Sequence, residues 1–124
     1  MNVWLAIAAI NGFISVAAGA FGAHALQGRL DAHALQIFET GARYQMYHAL
    51  AIAAAALAAR GAASATPAHF AATCFLTGIV LFSGSLYVLS LSGIRTFGMV
   101  TPFGGLAFLA GWAALAWAAF QQGG

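Results

Sequence analysis

Residues 3–23 read VWLAIAAINGFISVAAGAFGA, an apolar stretch without a charged side chain. A helix of about 20 apolar residues is long enough to cross the hydrocarbon core of a bilayer. The whole chain agrees with this interpretation, because 63% of its 124 residues are hydrophobic and only 5% are charged. A soluble domain of this length has too little interior to bury so much apolar surface. We therefore predict an integral membrane protein.

Three further apolar segments follow, separated by short polar connections. We predict membrane spans at about 2–24, 45–59, 68–91 and 98–120, within a single domain of residues 1–124. The connections before the third and fourth spans contain glycine and arginine, with a proline in the first of them, and such residues end one helix and begin the next. Short turns join neighbouring helices that run in opposite directions. The predicted fold class is therefore all-α, an antiparallel up-down four-helix bundle in the membrane.

The connection between spans one and two is longer and has a helical pattern of its own. Its apolar stripe consists of Leu30, Ala34, Ile37 and Phe38. Its polar stripe consists of Arg29, His33, Gln36, Thr40 and Arg43. This pattern predicts an amphipathic helix over about 29–41 that lies in the membrane interface, with a bend near Gly41 into span two.

The net charge of +2 comes from four arginines and no lysine. These cations are too few and too scattered to bind a phosphate backbone, so we expect a lipid bilayer and no nucleic acid as partner. In the predicted topology Arg29, Arg43 and Arg95 share one side and Arg60 lies on the other. The positive-inside rule then puts both termini outside. We expect a multi-pass protein of the inner (plasma) membrane.

The same topology gathers polar residues at one membrane face, where the first and third connections lie. We select six as candidate ligand-binding residues: His24, Glu39, Arg43, Tyr47, His48 and Arg95. Charges near hydrocarbon are costly unless they are paired, and Glu39 precedes Arg43 by four residues, the favourable order for an ion pair on a helix. The alternative is structural, with Glu39 and Arg43 fixing the helix at the headgroups and the tyrosines anchoring it in the interface.

The sequence does not indicate a metal, a cofactor or a reaction. His24 and His48 lack the HxxxH or ExxH spacing that places two ligands on one helix face. Cys74 is the single cysteine, which excludes an intrachain disulfide. No nucleophile, base and orienting group occur at a recognisable spacing, so we predict no catalytic residues.

Small and polar residues within the spans predict close helix packing. In span one they form a ribbon, Gly12, Ser15, Gly19 and Gly22, and in span four they are Gly104, Ala107 and Gly111. Such residues let helix backbones approach each other in a membrane. Asn11 lies in the middle of span one, where an unpaired amide is costly, so we expect it to bond to another helix. The serines at 83 and 85 are its candidate partners.

Four segments of this sequence resemble a known family. They are GAFGAHAL at 19–26, FETGARYQMYHAL at 38–50, FSGSLY at 82–87 and TPFGG at 101–105. They are similar to the YgdD-like family of small membrane proteins, which is classed as a domain of unknown function and includes a transmembrane relative in animals. The resemblance implies a four-helix inner-membrane protein. It supplies no catalytic residues.

Two functions are favoured by the sequence, and an enzyme is the third and least favoured. The first is a small membrane protein of unknown activity that binds or moves a small molecule or lipid at the polar site. The second is a scaffold or accessory subunit that packs with itself or with a larger membrane complex, because it is small and lacks a soluble domain. The sequence leaves the ligand and the oligomeric state undetermined.

Overall fold

A computed structural model describes residues 2–122, whose regular structure is helical. The α-helices are α1 (Val3–Phe21), α2 (Ala32–Arg60), α3 (Thr66–Gly78), α4 (Gly84–Ser92) and α5 (Thr101–Gln122). A π-helical turn, Gly22–Leu26, extends α1, and a second one, Ile79–Ser83, joins α3 to α4. A 3₁₀-helix, Arg95–Met99, precedes α5. The described chain thus forms four helical segments.

Local sequence signals explain where several of these helices begin and end. The Oδ1 atom of Asn2 accepts a hydrogen bond from the Leu5 amide at 3.0 Å, and that of Asp31 accepts one from the Ala34 amide at 2.7 Å. Both are N-caps, which satisfy amides that have no partner inside the helix. At the other end, Gly93 ends α4 with a φ of 73°, a left-handed conformation that costs glycine little.

Three of the four segments are long and apolar enough to cross a membrane, namely Val3–Leu26, Thr66–Ser92 and Arg95–Gln122. They cover the predicted spans 68–91 and 98–120 in full, and the predicted span 2–24 except for Asn2. Helix α2 does not meet the same measure of length and composition within the described residues. The predicted span at 45–59 is therefore not confirmed by hydropathy, although a helix covers all of it.

The predicted interfacial helix at 29–41 is not a separate element. A single helix, α2, runs without interruption from Ala32 to Arg60 and has no break at Gly41. Gly41 permits close packing: a Cβ there would lie 3.2 Å from the Tyr87 ring and 3.3 Å from Leu86. Phe38 is also buried, at 4% exposure. The segment therefore packs against other helices along one face.

Helix α2 lies at the centre of the protein, in contact with α1, α3, α4 and α5. The core at its second half is formed by fully buried side chains of two helices, Ile52 and Ala55 from α2 and Ala71 and Phe75 from α3. Helix α5 packs mainly on α3. Since α1 packs mainly on α2, the predicted close packing on α1 involves α2 as its partner.

Glycines make the closest approach on α5. A Cβ at Gly104 would lie 2.4 Å from the Phe82 backbone nitrogen, and one at Gly111 would lie 2.6 Å from the Phe75 ring. The predicted close packing through these two glycines is present. The ribbon on α1 is used only in part, because no neighbouring atom lies within 4 Å of a Cβ at Gly12 or Gly19.

Candidate functional site

A chain of hydrogen bonds crosses the protein from α1 through α2 to α4. The Tyr87 hydroxyl donates to Oε1 of Gln45 at 2.7 Å, and Nε2 of Gln45 donates to Oδ1 of Asn11 at 3.0 Å. The Asn11 amide nitrogen in turn donates to the Ile7 carbonyl at 2.9 Å. The expected bond from Asn11 to another helix is present, but its partner is Gln45, and Ser83 and Ser85 do not take that role.

His48 is buried at 4% exposure and stacks on Phe108, with ring centroids 3.5 Å apart and an interplanar angle of 7°. Its Nδ1 atom lies 2.7 Å from the Tyr44 carbonyl, which can only accept, so Nδ1 carries the proton. Its Nε2 atom then accepts from the Trp112 indole at 3.2 Å. Both ring nitrogens of the neutral imidazole are satisfied, which leaves none directed toward a ligand.

Two serines near this core differ in their hydrogen bonding. The Ser15 hydroxyl donates to the Ala42 carbonyl at 2.6 Å and so ties α1 to α2. Ser83, in the π-helical turn, is fully buried and its hydroxyl has no hydrogen-bond partner among the described residues. Such an orphaned hydroxyl is uncommon and costs free energy.

The outward face of α2 carries the charged residues of its middle section. Arg43 is exposed, Tyr47 is 49% exposed and Glu39 is half-buried. The predicted ion pair is absent, because within residues 2–122 no Glu39 oxygen lies within 4.0 Å of an Arg43 nitrogen. Further along the same face Leu50 and Leu57 are exposed. This face is therefore polar in its first half and apolar in its second.

Arg95 lies in a groove at the end of the protein where α2 begins and α4 ends. The groove has a volume of about 470 Å³. Its polar side is formed by Asp31, His33, Ser90 and Arg95, and its apolar side by Ala34, Ile37 and Leu89. The volume falls within the range of small-molecule sites, about 300–1,000 Å³. The groove combines a cation with apolar walls.

The six candidate residues do not line one common pocket. His24 is exposed in the turn after α1, His48 is in the core, and Arg95 is in the groove with Asp31 and His33. The other three lie on the outward face of α2. Gln45, in the hydrogen-bond chain, is a residue that the sequence pattern did not single out. A glutamine one helical turn before a histidine, in an otherwise alanine-rich span, would have indicated a buried polar contact.

Further grooves lie elsewhere on the surface, and two of them are of similar or larger volume. One, of about 780 Å³, lies at the opposite end and includes Trp4, Arg60 and His69. The second, of about 420 Å³, is almost entirely apolar and includes Phe13, Phe21, Phe38 and Tyr87. In the described part of the chain, no three of the histidine, cysteine, aspartate and glutamate side chains converge closely enough to hold a metal ion.

The helical architecture, with three segments long and apolar enough to cross a membrane, is that of a helical membrane protein. The model of a family described as "Protein of unknown function (DUF423)" matches residues 18–105. This chain belongs to that family, and it is a membrane protein without an assigned biochemical activity.

Particular relatives agree over nearly the whole chain. The UPF0382 inner membrane protein YgdD of Escherichia coli is 48% identical over 109 residues, covering 88% of this chain and 82% of the relative. The UPF0382 membrane protein YwdK of Bacillus subtilis is 43% identical over 112 residues, covering 90% and 91%. A UPF0382 membrane protein of Haemophilus influenzae is 42% identical over 121 residues, covering 98% and 96%. No solved structure matches the chain.

Proposed function

We propose that this protein is a four-span, antiparallel membrane bundle that binds an anionic lipid in the groove beside Arg95. The observation that carries the proposal is the groove itself, in which one guanidinium and apolar walls adjoin at the end of three helices. A phospholipid has the same division, an anionic headgroup joined to apolar chains. We call this site the Arg95 groove.

The proposed crossing by α2 is supported by its position among the other helices. Its 29 residues extend about 43 Å, more than the roughly 30 Å of hydrocarbon. A helix surrounded by others need not be apolar on every side, which explains why hydropathy does not detect it. The Gln122 side chain donates to the Ala58 carbonyl at 2.8 Å, which joins the last turns of α5 and α2. These two helices therefore end at the same side of the protein. This supports opposite directions for helices that are neighbours in the chain, because the α3–α4 segment lies between α2 and α5.

The polar side of the Arg95 groove suits a phosphate because its positive charge is free to bind a ligand, whereas its carboxylate already accepts a hydrogen bond. The Asp31 carboxylate already caps α2 through the Ala34 amide at 2.7 Å. The Arg95 guanidinium is exposed and offers a fork of donors that matches a phosphate. Ile37 and Leu89 provide the surface for the first carbons of an acyl chain. Arg29 and Arg95 lie at this end and Arg60 at the other, so by the positive-inside rule this end faces the cytoplasm, where anionic lipids are abundant.

The test is lipid retention in a bilayer of known composition. The protein is placed in nanodiscs of equimolar phosphatidylglycerol and phosphatidylcholine, and the lipids that remain bound after release are weighed by native mass spectrometry. We expect phosphatidylglycerol to be enriched on the unmodified chain. Arg95→Ala should weaken that binding about fivefold, since one cation near the surface contributes about 1 kcal/mol.

Arg60→Ala is the matched control, because Arg60 is also exposed and lines a groove at the opposite end. We expect it to leave the retained lipid unchanged. Equal loss in both variants would indicate a general effect of charge and contradict a specific site. No enrichment of phosphatidylglycerol on the unmodified chain would also contradict the proposal.

A further inference from the structure

The depth of Arg43 in the membrane can be determined from hydrogen bonds between helices. The segment Val3–Leu26 is a candidate span, and Ser15 lies at its middle. The Ser15 hydroxyl bonds to the carbonyl of Ala42, the residue before Arg43, at 2.6 Å. The backbone at Arg43 therefore lies at about the depth of the middle of the span Val3–Leu26.

Contacts on the opposite side of α2 give the same depth. A Cβ at Gly41 would lie 3.3 Å from the Ser83 carbonyl, and Ser83 is well inside the candidate span Thr66–Ser92. Nine residues separate Ser83 from the end of that span, which is about 13 Å of helix. Since α1 and the α3–α4 segment agree, the first half of α2 does not project out of the bilayer.

An exposed charge at this depth is unstable unless something covers it. Ionisable groups within a membrane almost always face a partner or a water-filled cavity. Arg43 faces outward, and in residues 2–122 neither Arg43 nor Glu39 has an ion-pair partner within 4.0 Å. These two opposite charges lie one helical turn apart on the same face.

We propose that a second copy of this chain covers the outward face of α2 in a two-fold dimer. Two copies of one membrane protein with the same orientation are related by an axis along the membrane normal, so their α2 helices run side by side in the same direction. Glu39 of each copy then lies about 6 Å along the helix axis from Arg43 of the other copy, an offset that the long arginine side chain spans to make the pair. Each Glu39 and each Arg43 then has an ion-pair partner in the other copy.

The rest of the face fits the same partner. After Arg43 it continues with side chains that are exposed in the single chain: Tyr47, Leu50, Ala54 and Leu57. They follow one another at intervals of three and four residues, the spacing of one helix face. On α1, Gly12 shares a groove with Leu50 of this face, and with no neighbouring atom within 4 Å of a Cβ there it leaves room for close approach. The dimer rests on the proposed crossing of the bilayer by α2, but it is independent of lipid binding in the Arg95 groove.

Disulfide crosslinking in native membranes tests whether these faces meet. In a Cys74→Ala background, Leu50→Cys and Ala54→Cys each place a thiol on the outward face of α2. The control is Leu109→Cys, because Leu109 is 67% exposed on α5. After mild oxidation we expect a dimer band for at least one of the α2 positions and none for Leu109→Cys. Crosslinking at the α2 positions no greater than at Leu109→Cys would overturn the dimer.

Two charge variants test the pairing between copies. Arg43→Glu gives a copy with two acidic residues on this face, and Glu39→Arg gives one with two basic residues. Each charge variant also carries the α2 cysteine that crosslinks in the Cys74→Ala background. Each is expected to lose the crosslinked band when expressed alone, and the band should return when the two are expressed together in one cell. An ion pair within one chain cannot produce that rescue. Unchanged crosslinking in the single variants, or no band from the mixture, would overturn the Glu39–Arg43 pairing.

Discussion

The inward face of α2 satisfies its polar groups, whereas the outward face does not. Inward, Gln45 bonds to Asn11 and Tyr87, and both nitrogens of His48 have partners. Outward, Glu39 and Arg43 have no ion-pair partner among residues 2–122. A polar group with all its bonds made stabilises the fold. An exposed charge without a partner in a membrane indicates a surface that binds something else.

The largest effect should come from filling a close contact on an inward face. Gly104→Ala places a Cβ 2.4 Å from the Phe82 backbone, so we expect a loss of at least about 1–3 kcal/mol in the free energy of unfolding. Gly105→Ala is the neighbouring control, with no atom within 4 Å, and it should be neutral or slightly stabilising. Unfolding in SDS followed by tryptophan fluorescence measures both. Equal loss in the two variants would show that the inward contact is misplaced.

The next effect should come from the hydrogen-bond chain through Gln45. Gln45→Leu leaves the Tyr87 hydroxyl and the Asn11 carbonyl oxygen without partners, and we expect a loss of about 1–3 kcal/mol. Tyr47→Phe removes a hydroxyl from the outward face and should cost less than about 0.5 kcal/mol. The same unfolding measurement in detergent compares them. The distinction between the two faces fails if Tyr47→Phe costs as much as Gln45→Leu.

A smaller effect is expected at His48. His48→Phe keeps the stack on Phe108 but removes the donor to the Tyr44 carbonyl and the acceptor for the Trp112 indole, so the loss should be about 0.6–1.7 kcal/mol, from the average to the largest value for such bonds in membranes. The freed indole should also change its emission maximum. Wild-type stability together with loss of a bound ligand would instead identify His48 as a binding residue.

The smallest effect should be at the bond between α1 and α2. Ser15→Ala removes the bond to the Ala42 carbonyl and is expected to cost about 0.6 kcal/mol. Ser64→Ala, in the exposed connection before α3, is the control and should be silent. A cost well above that of His48→Phe would mean that Ser15 contributes more than one bond.

The sequence predicted the membrane class and three spans because apolar length needs only composition to be recognised. It did not predict one continuous α2. The amphipathic stripe from Leu30 to Phe38 is typical of an interfacial helix, and the contact of Gly41 with α4 depends on residues about forty positions away. For the same reason the sequence indicated that Asn11 needs a partner but could not select Gln45 over the serines.

The candidate site was predicted less well than the fold. The topology indicated the correct end of the protein for Arg95, but the rotation of α2 decides which residues point inward. That rotation sends His48 to the core and Arg43 outward, since positions five apart lie about 140° from each other around the helix axis. No local pattern in the sequence reports it, because alanine covers much of both faces in the second half of the helix.

The central claim is that α2 crosses the bilayer and carries its outward charges into it. The most direct test introduces single cysteines before and after α2, Gln27→Cys and Ser64→Cys in the Cys74→Ala background, at positions that are both exposed. A membrane-impermeant thiol reagent is applied to sealed vesicles of either orientation. We predict that the two positions react from opposite sides of the membrane, with Gln27→Cys on the cytoplasmic side. Labelling of both positions from the same side would contradict the crossing and the dimer that depends on it.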